Sequence, residues 1–169
     1  MSIRFSKETA IGKVLFDWWE KLGDDRGGRA ALRRASTITA VSMAPPYQRL
    51  YRRMCNAGWA VETRAHHNDR LAAIVGLLAH VKQNDERPLA KSMSQRADGG
   101  DRPCVSELRF RRLLESPDLD SLFIGMRRVL PLMNHGVNVL ALANDVAHWG
   151  DDVKKHWAYQ YDWSEKSNN

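Results

Sequence analysis

Apolar residues recur at helical spacing along this 169-residue chain, and this pattern constrains the fold more than any other feature. The predicted helix of residues 68–83 is the clearest example. Its broad apolar face consists of Leu71, Ile74, Val75, Leu78 and Val81. Alternation of apolar and polar residues with a period of two does not extend beyond a few residues. The sequence therefore predicts an all-α fold, a helical bundle of about eight to nine helices.

Residues that start or stop helices separate the apolar stripes of the first half. An amphipathic helix is predicted over residues 6–22, with Ser6 or Thr9 as the N-cap. Residues 36–44 are rich in Ser, Thr and β-branched residues, which favours a loop. Pro45-Pro46 then starts a helix that runs to about Asn56, since proline is preset for the first helical turn.

The clearest linker in the sequence is the Gly- and Asp-rich stretch of residues 97–103. It separates two predicted sub-bundles, an N-terminal one of residues 1–97 and a C-terminal one of residues 103–169. Further apolar stripes follow the linker, and Asp118 is placed to cap the helix after Pro117. Pro131 is expected to kink that helix or to mark its last turn.

A 36-residue window from Arg26 to Val61 contains seven arginines and no Asp or Glu. Two rows at spacings of three and four residues lie in it: Arg26, Arg29 and Arg33, then Arg49, Arg52 and Arg53. A solvated charged face is the simpler interpretation of such a row. A solubilising helix usually mixes signs at these spacings, however, and these rows have no acidic partners. We therefore predict that both rows face a nucleic-acid backbone.

The charge balance of the whole chain points in the same direction. Lys and Arg number 26 against 20 Asp and Glu, which gives a net charge of +6 at pH 7. Of the 26 basic residues, 18 are arginines, whose planar guanidinium binds phosphate oxygens bidentately. The composition thus favours a polyanionic partner.

Cysteine content and apolar run length predict a cytoplasmic location with no membrane partner. Cys55 and Cys104 are too few for a disulfide framework. The N-terminal residues form no apolar signal core. The longest apolar run, residues 71–79, is too short to span a bilayer.

No arrangement of residues in the sequence indicates catalysis, a cofactor or a metal site. The glycines between Arg26 and Arg29 lack the spacing and the preceding strand of a phosphate-binding loop. Asp24-Asp25 and Asp151-Asp152 are conceivable magnesium ligands of a nuclease. Adjacent side chains diverge on a helix, however, and acidic pairs beside glycine are more often caps or solvated ends. The chain is therefore predicted to be a non-enzyme.

Several motifs occur in the order found in one known family. The N-terminal half has a Trp-containing helix, then Arg-Ala-Ala-Leu-Arg-Arg (residues 29–34), Pro-Tyr-Gln-Arg-Leu (residues 46–50) and Gly58-Trp59. The C-terminal half has Leu-Arg-Phe-Arg-Arg-Leu-Leu (residues 108–114), Arg127-Arg128 and an ending with Trp149, His156-Trp157-Ala158 and Tyr161. This ordered set, which covers most of the chain, resembles the CasB family, the small subunit of the type I-E CRISPR Cascade complex.

The resemblance implies an all-α, catalytically inert subunit of a crRNA-guided surveillance complex in antiviral defence. Two copies per complex would stack head to tail, beside the backbone and large subunits. Their basic surfaces would hold the displaced non-target DNA strand and stabilise the R-loop next to the crRNA–target hybrid. Arginines that bind phosphate suit this role, because they hold a strand without reading its bases.

The predicted nucleic-acid-binding residues combine the two arginine rows with the basic positions that match the family motifs. They are Arg26, Arg29, Arg33, Arg34, Arg49, Arg52, Arg53, Arg109, Arg112, Arg127, Arg128, Lys154 and Lys155. Two other hypotheses stay open at this stage. The basic face of the chain would dock on an acidic protein partner, or the aspartate pairs would serve a metal-dependent nuclease.

Overall fold

The fold is a bundle of helices with very little sheet. The computed structural model describes residues 3–59, 65–96 and 100–165. Within these ranges it has ten α-helices: α1 (Ala10–Leu22), α2 (Arg26–Arg34), α3 (Ile38–Ser42), α4 (Pro45–Asn56), α5 (Ala65–Leu78), α6 (Leu89–Met93), α7 (Glu107–Leu114), α8 (Leu119–Val129), α9 (Val139–Ala147) and α10 (Asp151–Gln160). A 3-10 helix, Leu130–Met133, directly follows α8 and contains Pro131. The predicted all-α class is confirmed.

Side-chain caps fix where most of these helices begin. An oxygen of the residue before the helix accepts a hydrogen bond from a backbone N–H in the first turn, which satisfies a group that the helix leaves unpaired. The capping residues are Thr9 of α1, Asp25 of α2, Thr37 of α3, Ser106 of α7, Asp118 of α8 and Asn138 of α9. Helix α4 starts instead with Pro45, as the sequence predicts.

Three local predictions are wrong. Residues 36–44 are not a loop throughout, because Thr37 caps α3 and the packing of Ile38 and Val41 in the core outweighs the low helix propensity of this stretch. The predicted helix of residues 68–83 begins at Ala65 and ends at Leu78. Strands β1 (Gln83–Asn84) and β2 (Gly136–Val137) pair in parallel, and two residues are too few to produce a recognisable alternation.

Helix α5 lies at the centre of the fold. The end of α5 and the residue after it, residues 71–79, are buried, and α5 packs against α3, α8 and α9. Gly76 allows the closest approach, because a Cβ there would lie 2.8 Å from Val41 and 2.9 Å from Phe123. One continuous hydrophobic cluster therefore contains residues from both halves of the chain. The division into sub-bundles at residues 97–103 stays a prediction, and residues 97–99 of that linker lie outside the described residues.

Polar side chains also join the two halves. Arg70 of α5 donates through Nη1 to the carbonyls of Val146, Ala147 and Trp149, at 3.2, 2.9 and 3.2 Å. These carbonyls lie at the end of α9, where a helix leaves its last acceptors unpaired. Asn144 accepts from the N–H of Phe5 and donates to its carbonyl, each at 2.8 Å. The N-terminal segment and α5 are thus fixed to the same C-terminal helix.

Candidate nucleic-acid interface

The thirteen predicted binding residues differ in how far they reach into solvent. Ten are exposed: Arg26, Arg33, Arg34, Arg49, Arg52, Arg53, Arg109, Arg112, Arg128 and Lys155. Arg29, Arg127 and Lys154 are half-buried. In residues 3–59, 65–96 and 100–165, the salt bridges join Lys7 to Glu86 and Arg87 to Asp85, so none of the thirteen is paired with a carboxylate. The charge of the ten exposed residues is therefore available to an outside anion.

Three of the exposed arginines surround one cleft between α7 and α8, which we call the α7–α8 cleft. Arg109 and Arg112 lie one turn apart on α7, and Arg128 reaches the same cleft from α8. The cleft has a volume of about 580 Å³. Its other lining residues are Leu113, Glu115, Ser116, Pro117, Ser121, Ile124, Gly125 and Val129. Its lining therefore combines exposed arginines, which we call the rim, with apolar residues, which we call the floor: Leu113, Pro117, Ile124 and Val129.

The turn between α7 and α8 gives the cleft its shape. Helix α7 ends at Leu114, and the Ser116 N–H donates to the carbonyl of Leu113 at 3.0 Å. Asp118 then begins α8, its carboxylate accepting from the Ser121 N–H at 2.8 Å. Because the turn is short and both of its ends are hydrogen-bonded, α7 and α8 stay adjacent and their arginines converge.

A second group of cations lies where α2 meets α8, on the other flank of the latter helix. We call it the α2–α8 joint, and it consists of Arg29, Arg33, His80 and Arg127. Arg127 Nη2 donates to the carbonyl of Arg33 at 3.0 Å, and its guanidinium lies 5.7 Å from the ring centre of Phe123. Arg127 Nε also lies 3.5 Å from His80 Nε2. Arginines from the two halves of the chain thus meet directly.

The charges of the joint act on His80. Burial, followed by the positive charges of Arg127 and Arg33, lowers the pKa of His80 from 6.5 to about 4. Neutral His80 can accept the hydrogen bond from Arg127 through Nε2. Arg29 is more enclosed. Its Nε donates to the carbonyl of Ala79 at 3.2 Å, whereas its Nη2 is buried without a partner. The Arg29 guanidinium thus binds a backbone carbonyl inside the protein and is only partly accessible to a ligand.

The remaining predicted residues lie on α2, α4 and α10. The second arginine row, Arg49, Arg52 and Arg53, is exposed on α4, which packs against α1, α2 and α3 through Leu50 and Met54. Lys154 of α10 lies 5.6 Å from the ring centre of Trp149, while Lys155 is exposed. The structure therefore brings together Arg109, Arg112 and Arg128 in one place and Arg29, Arg33 and Arg127 in another.

Comparison with known proteins identifies the family. Residues 28–161 match the family model described as CRISPR-associated protein Cse2. The chain belongs to the Cse2 family. Cse2 and CasB denote the same family, so the predicted resemblance to the small subunit of type I-E Cascade is confirmed. The match extends from α2 to the end of α10 and contains twelve of the thirteen predicted residues, all except Arg26.

A solved structure has the same fold. A chain in the crystal structure of E. coli Cascade bound to a PAM-containing dsDNA target superposes with a TM-score of 0.67. The superposition covers 88% of this chain and 92% of that chain, with 18% sequence identity. At this identity the likeness demonstrates a common fold. Curated protein sequences give no match.

Two further properties of the described residues concern metal binding and membrane spans. In the part of the chain that the structure describes, no three residues among His, Cys, Asp and Glu are grouped closely enough to hold a metal ion. No helix in the same ranges is long and apolar enough to cross a membrane. The aspartates at 24, 25, 151 and 152 are exposed, and Asp25 caps α2 by accepting from the Gly28 N–H at 3.0 Å.

Sequence reasoning missed one residue in each of the two basic regions and one arginine outside them. Ile124 lines the α7–α8 cleft, and a signal for it existed, because it lies off the apolar stripe of α8 formed by Leu122, Phe123 and Met126. His80 in the joint and Arg70 at the end of α9 gave no such signal. Their partners are distant in the chain and lie on other elements.

Proposed function

We propose that this chain is the non-catalytic small subunit of a type I-E Cascade complex and that it binds a sugar-phosphate backbone. In this role it holds the displaced non-target DNA strand and stabilises the R-loop. Its partners are crRNA and target DNA, the backbone and large subunits, and a second copy of itself. It acts in the cytoplasm and needs no cofactor.

One observation carries the binding role: three exposed arginines converge on the α7–α8 cleft with no carboxylate paired to them in the described residues. Like charges that line one cleft repel one another, and Glu115, which also lines it, forms no salt bridge with them in the described residues, so an anionic ligand is favoured there. Guanidinium forks bind phosphate bidentately and do not depend on sequence. The Cse2 family membership and the fold shared with a Cascade chain support the same role.

The test measures how binding of the full chain to single-stranded DNA depends on salt. We expect the variant Arg109→Gln, Arg112→Gln, Arg128→Gln to lower the slope of log affinity against log salt by about 2, since each single-strand phosphate contact contributes about 0.7. Near 0.1 M salt this corresponds to a loss of affinity of about 100-fold. Fluorescence anisotropy across a salt series measures both quantities.

The matched control changes the same residue type and the same net charge elsewhere. Arg4, Arg102 and Arg111 are exposed arginines that do not line the cleft, and Arg111 belongs to the same helix as Arg109 and Arg112. Replacing these three by Gln should leave most of the salt slope intact. Equal slopes for the two triple variants would mean that net charge alone drives binding, and the assigned surface would be wrong.

The second candidate function is docking of the basic surface on an acidic protein. The apolar floor of the cleft favours it, because amphipathic peptide segments bind such grooves. Competition of poly-glutamate with the DNA oligonucleotide separates the two functions. Tighter binding of the wild-type chain to poly-glutamate than to DNA at the same salt would favour the protein partner.

Catalytic inactivity is tested separately, by incubating the chain and single- or double-stranded DNA with Mg²⁺ or Mn²⁺. We expect no cleavage. Cleavage that disappears in the variant Asp151→Asn, Asp152→Asn would instead assign a nuclease function to this aspartate pair.

A further inference from the structure

The α7–α8 cleft is larger and more apolar than phosphate binding requires. Phosphate oxygens need only the three guanidinium groups at the rim, which can bind them at the surface. The cleft has a volume of about 580 Å³, within the range of about 300–1,000 Å³ that small-molecule sites usually have. Its floor therefore requires a separate explanation.

One apolar side chain in the cleft is also unusually exposed to solvent. Ile124 is 46% exposed although it carries a large apolar side chain, and it lies on the cleft side of α8 next to Gly125. Pro117 and Val129 line the same space. Apolar surface left open beside three arginines is typical of a site that receives a ligand with both an anionic and an apolar part.

A nucleotide has both parts in the required arrangement. We propose that the cleft accepts one unstacked base of a bound single strand, with its flat face against Ile124 and Pro117, while the flanking phosphates contact Arg109, Arg112 and Arg128. This inference rests on the proposed function and deepens it. Binding that relies on the face of a base is tolerant of sequence, because every base has an apolar face.

The polar groups at the edge of the cleft favour a nucleotide over an acidic peptide. Glu115 lines the same cleft as the three arginines. The edge of a base is neutral and carries N–H donors, so it can lie beside a carboxylate and hydrogen-bond to it. An acidic side chain placed there would be repelled instead. Ser121, half-buried in the lining, supplies a hydroxyl group that can donate to or accept from the base edge.

The experiment separates contacts to bases from contacts to the backbone. Two oligonucleotides of equal length are used, an oligothymidylate and one built of abasic sites, which has the same phosphates without bases. The full chain is titrated with each, as wild type and as Ile124→Ser. This substitution removes apolar surface without changing charge, and the exposure of the side chain lets the fold persist, which a thermal melt verifies.

We expect Ile124→Ser to weaken binding of the oligothymidylate by about threefold to tenfold. A base would cover only part of the Ile124 side chain, so the loss is smaller than for a fully buried aliphatic side chain. Binding of the abasic oligonucleotide should not change. Leu132→Ser is the matched control, since Leu132 is 37% exposed and does not line the cleft. It should leave both affinities at the wild-type values.

The outcomes distinguish this inference from the function on which it rests. If Ile124→Ser binds the oligothymidylate as wild type does, or weakens both oligonucleotides equally, no base occupies the cleft, while the backbone role stands on its salt slope. If the wild-type chain binds neither oligonucleotide, both proposals are overturned. If Ile124→Ser weakens binding of poly-glutamate and not of the oligothymidylate, the cleft receives an acidic peptide.

Discussion

Arg127 and Arg128 are neighbours in the chain but belong to different regions of the molecule. Arg127 lies in the α2–α8 joint, where its guanidinium donates to the Arg33 carbonyl and packs over Phe123. Arg128 lines the α7–α8 cleft and is exposed. Adjacent residues on a helix point about 100° apart, so one helix serves both regions. Two of the five N–H donors of the first arginine are used within the protein, and those of the second are left for a ligand.

The comparison shows that a count of arginines overstates the number of phosphate contacts. Arg29 and Arg127 hold backbone carbonyls, and Arg70 does the same at the end of α9. Arginine suits both uses because its five donors form a fixed planar fork and its charge does not depend on pH in the physiological range. Burial and the available acceptors decide which use prevails at each position.

The largest expected effect concerns stability and compares these two neighbours. We expect Arg127→Met to lower the free energy of unfolding by about 1–2 kcal/mol, because the hydrogen bond to the Arg33 carbonyl is lost. Arg128→Met, the matched control, should change it by less than about 0.5 kcal/mol, as for other exposed residues. Urea denaturation followed by circular dichroism measures both. Equal losses of stability in the two variants would mean that Arg127 contributes no more to the fold than Arg128 does.

The pH dependence of stability tests the joint through His80. Folding lowers the pKa of His80 from 6.5 to about 4, so the unfolded state binds more protons between these values. The free energy of unfolding should therefore fall as the pH drops from about 6.5 to 4, and the contribution is complete above pH 6.5. After allowance for solvent screening of this half-buried group we expect about 1 kcal/mol.

Comparison with His80→Gln isolates this contribution. Glutamine can still accept from Arg127 but has no charge to gain, and the neighbouring groups Arg29, Arg33, Arg127 and His135 stay in place. Carboxylates such as Asp145, whose pKa is raised by burial, titrate alike in both proteins and cancel in the difference. An identical pH profile for wild type and His80→Gln would show that folding does not lower the pKa of His80.

Binding of DNA should depend on Arg128 more than on Arg127, which is the reverse of the expectation for stability. Arg128→Gln should reduce the magnitude of the salt slope for single-stranded DNA by about 0.7, equivalent to about fivefold in affinity near 0.1 M salt. Arg127→Gln should leave the slope close to that of wild type. Salt titrations by fluorescence anisotropy provide the measurement. A larger change for Arg127 would make the joint part of the binding surface.

The smallest effect is expected at Arg29. Its Nη2 is buried without a hydrogen-bond partner, and burial lowers its pKa, with Arg33 adding to the effect. Arg29→Met removes the free-energy cost of the unpaired Nη2 and also removes the hydrogen bond to the Ala79 carbonyl. The two changes should nearly cancel, so the free energy of unfolding should change by no more than about 0.5 kcal/mol. Chemical denaturation at neutral pH gives the difference. A loss above about 2 kcal/mol would mean that the guanidinium is fully satisfied in solution.

The sequence was sufficient to predict the helices whose apolar residues follow a single stripe. Helices α1, α4 and α8 begin where the predicted caps Thr9 and Asp118 and the predicted Pro45 place them, because hydrophobic spacing and capping are local properties. The short helix α3 escaped prediction. Its five residues resemble a loop in composition, and they form a helix because Ile38 and Val41 pack in the core. Packing of this kind depends on elements distant in the chain.

The candidate site was predictable only in part, for the same reason. The sequence indicated all three arginines of the cleft, but not that they converge or that Ile124 lines the same cleft. The same pattern predicted Arg29 and Arg127 as nucleic-acid-binding residues, like the other arginines. Their acceptors are the carbonyls of Ala79, 50 residues away, and Arg33, 94 residues away. No local pattern reveals such pairs.

The sequence by itself determined that this chain is a helical protein of the Cse2 family with an excess of arginines. Apolar spacing and helix caps depend on residues that are close in the chain, and composition is read directly from it. Only the tertiary structure decided which arginines stay free. Folding places some guanidinium groups next to unpaired carbonyls, where hydrogen bonds and burial hold them. It leaves others around an open cleft, where only solvent or an anionic ligand can satisfy them.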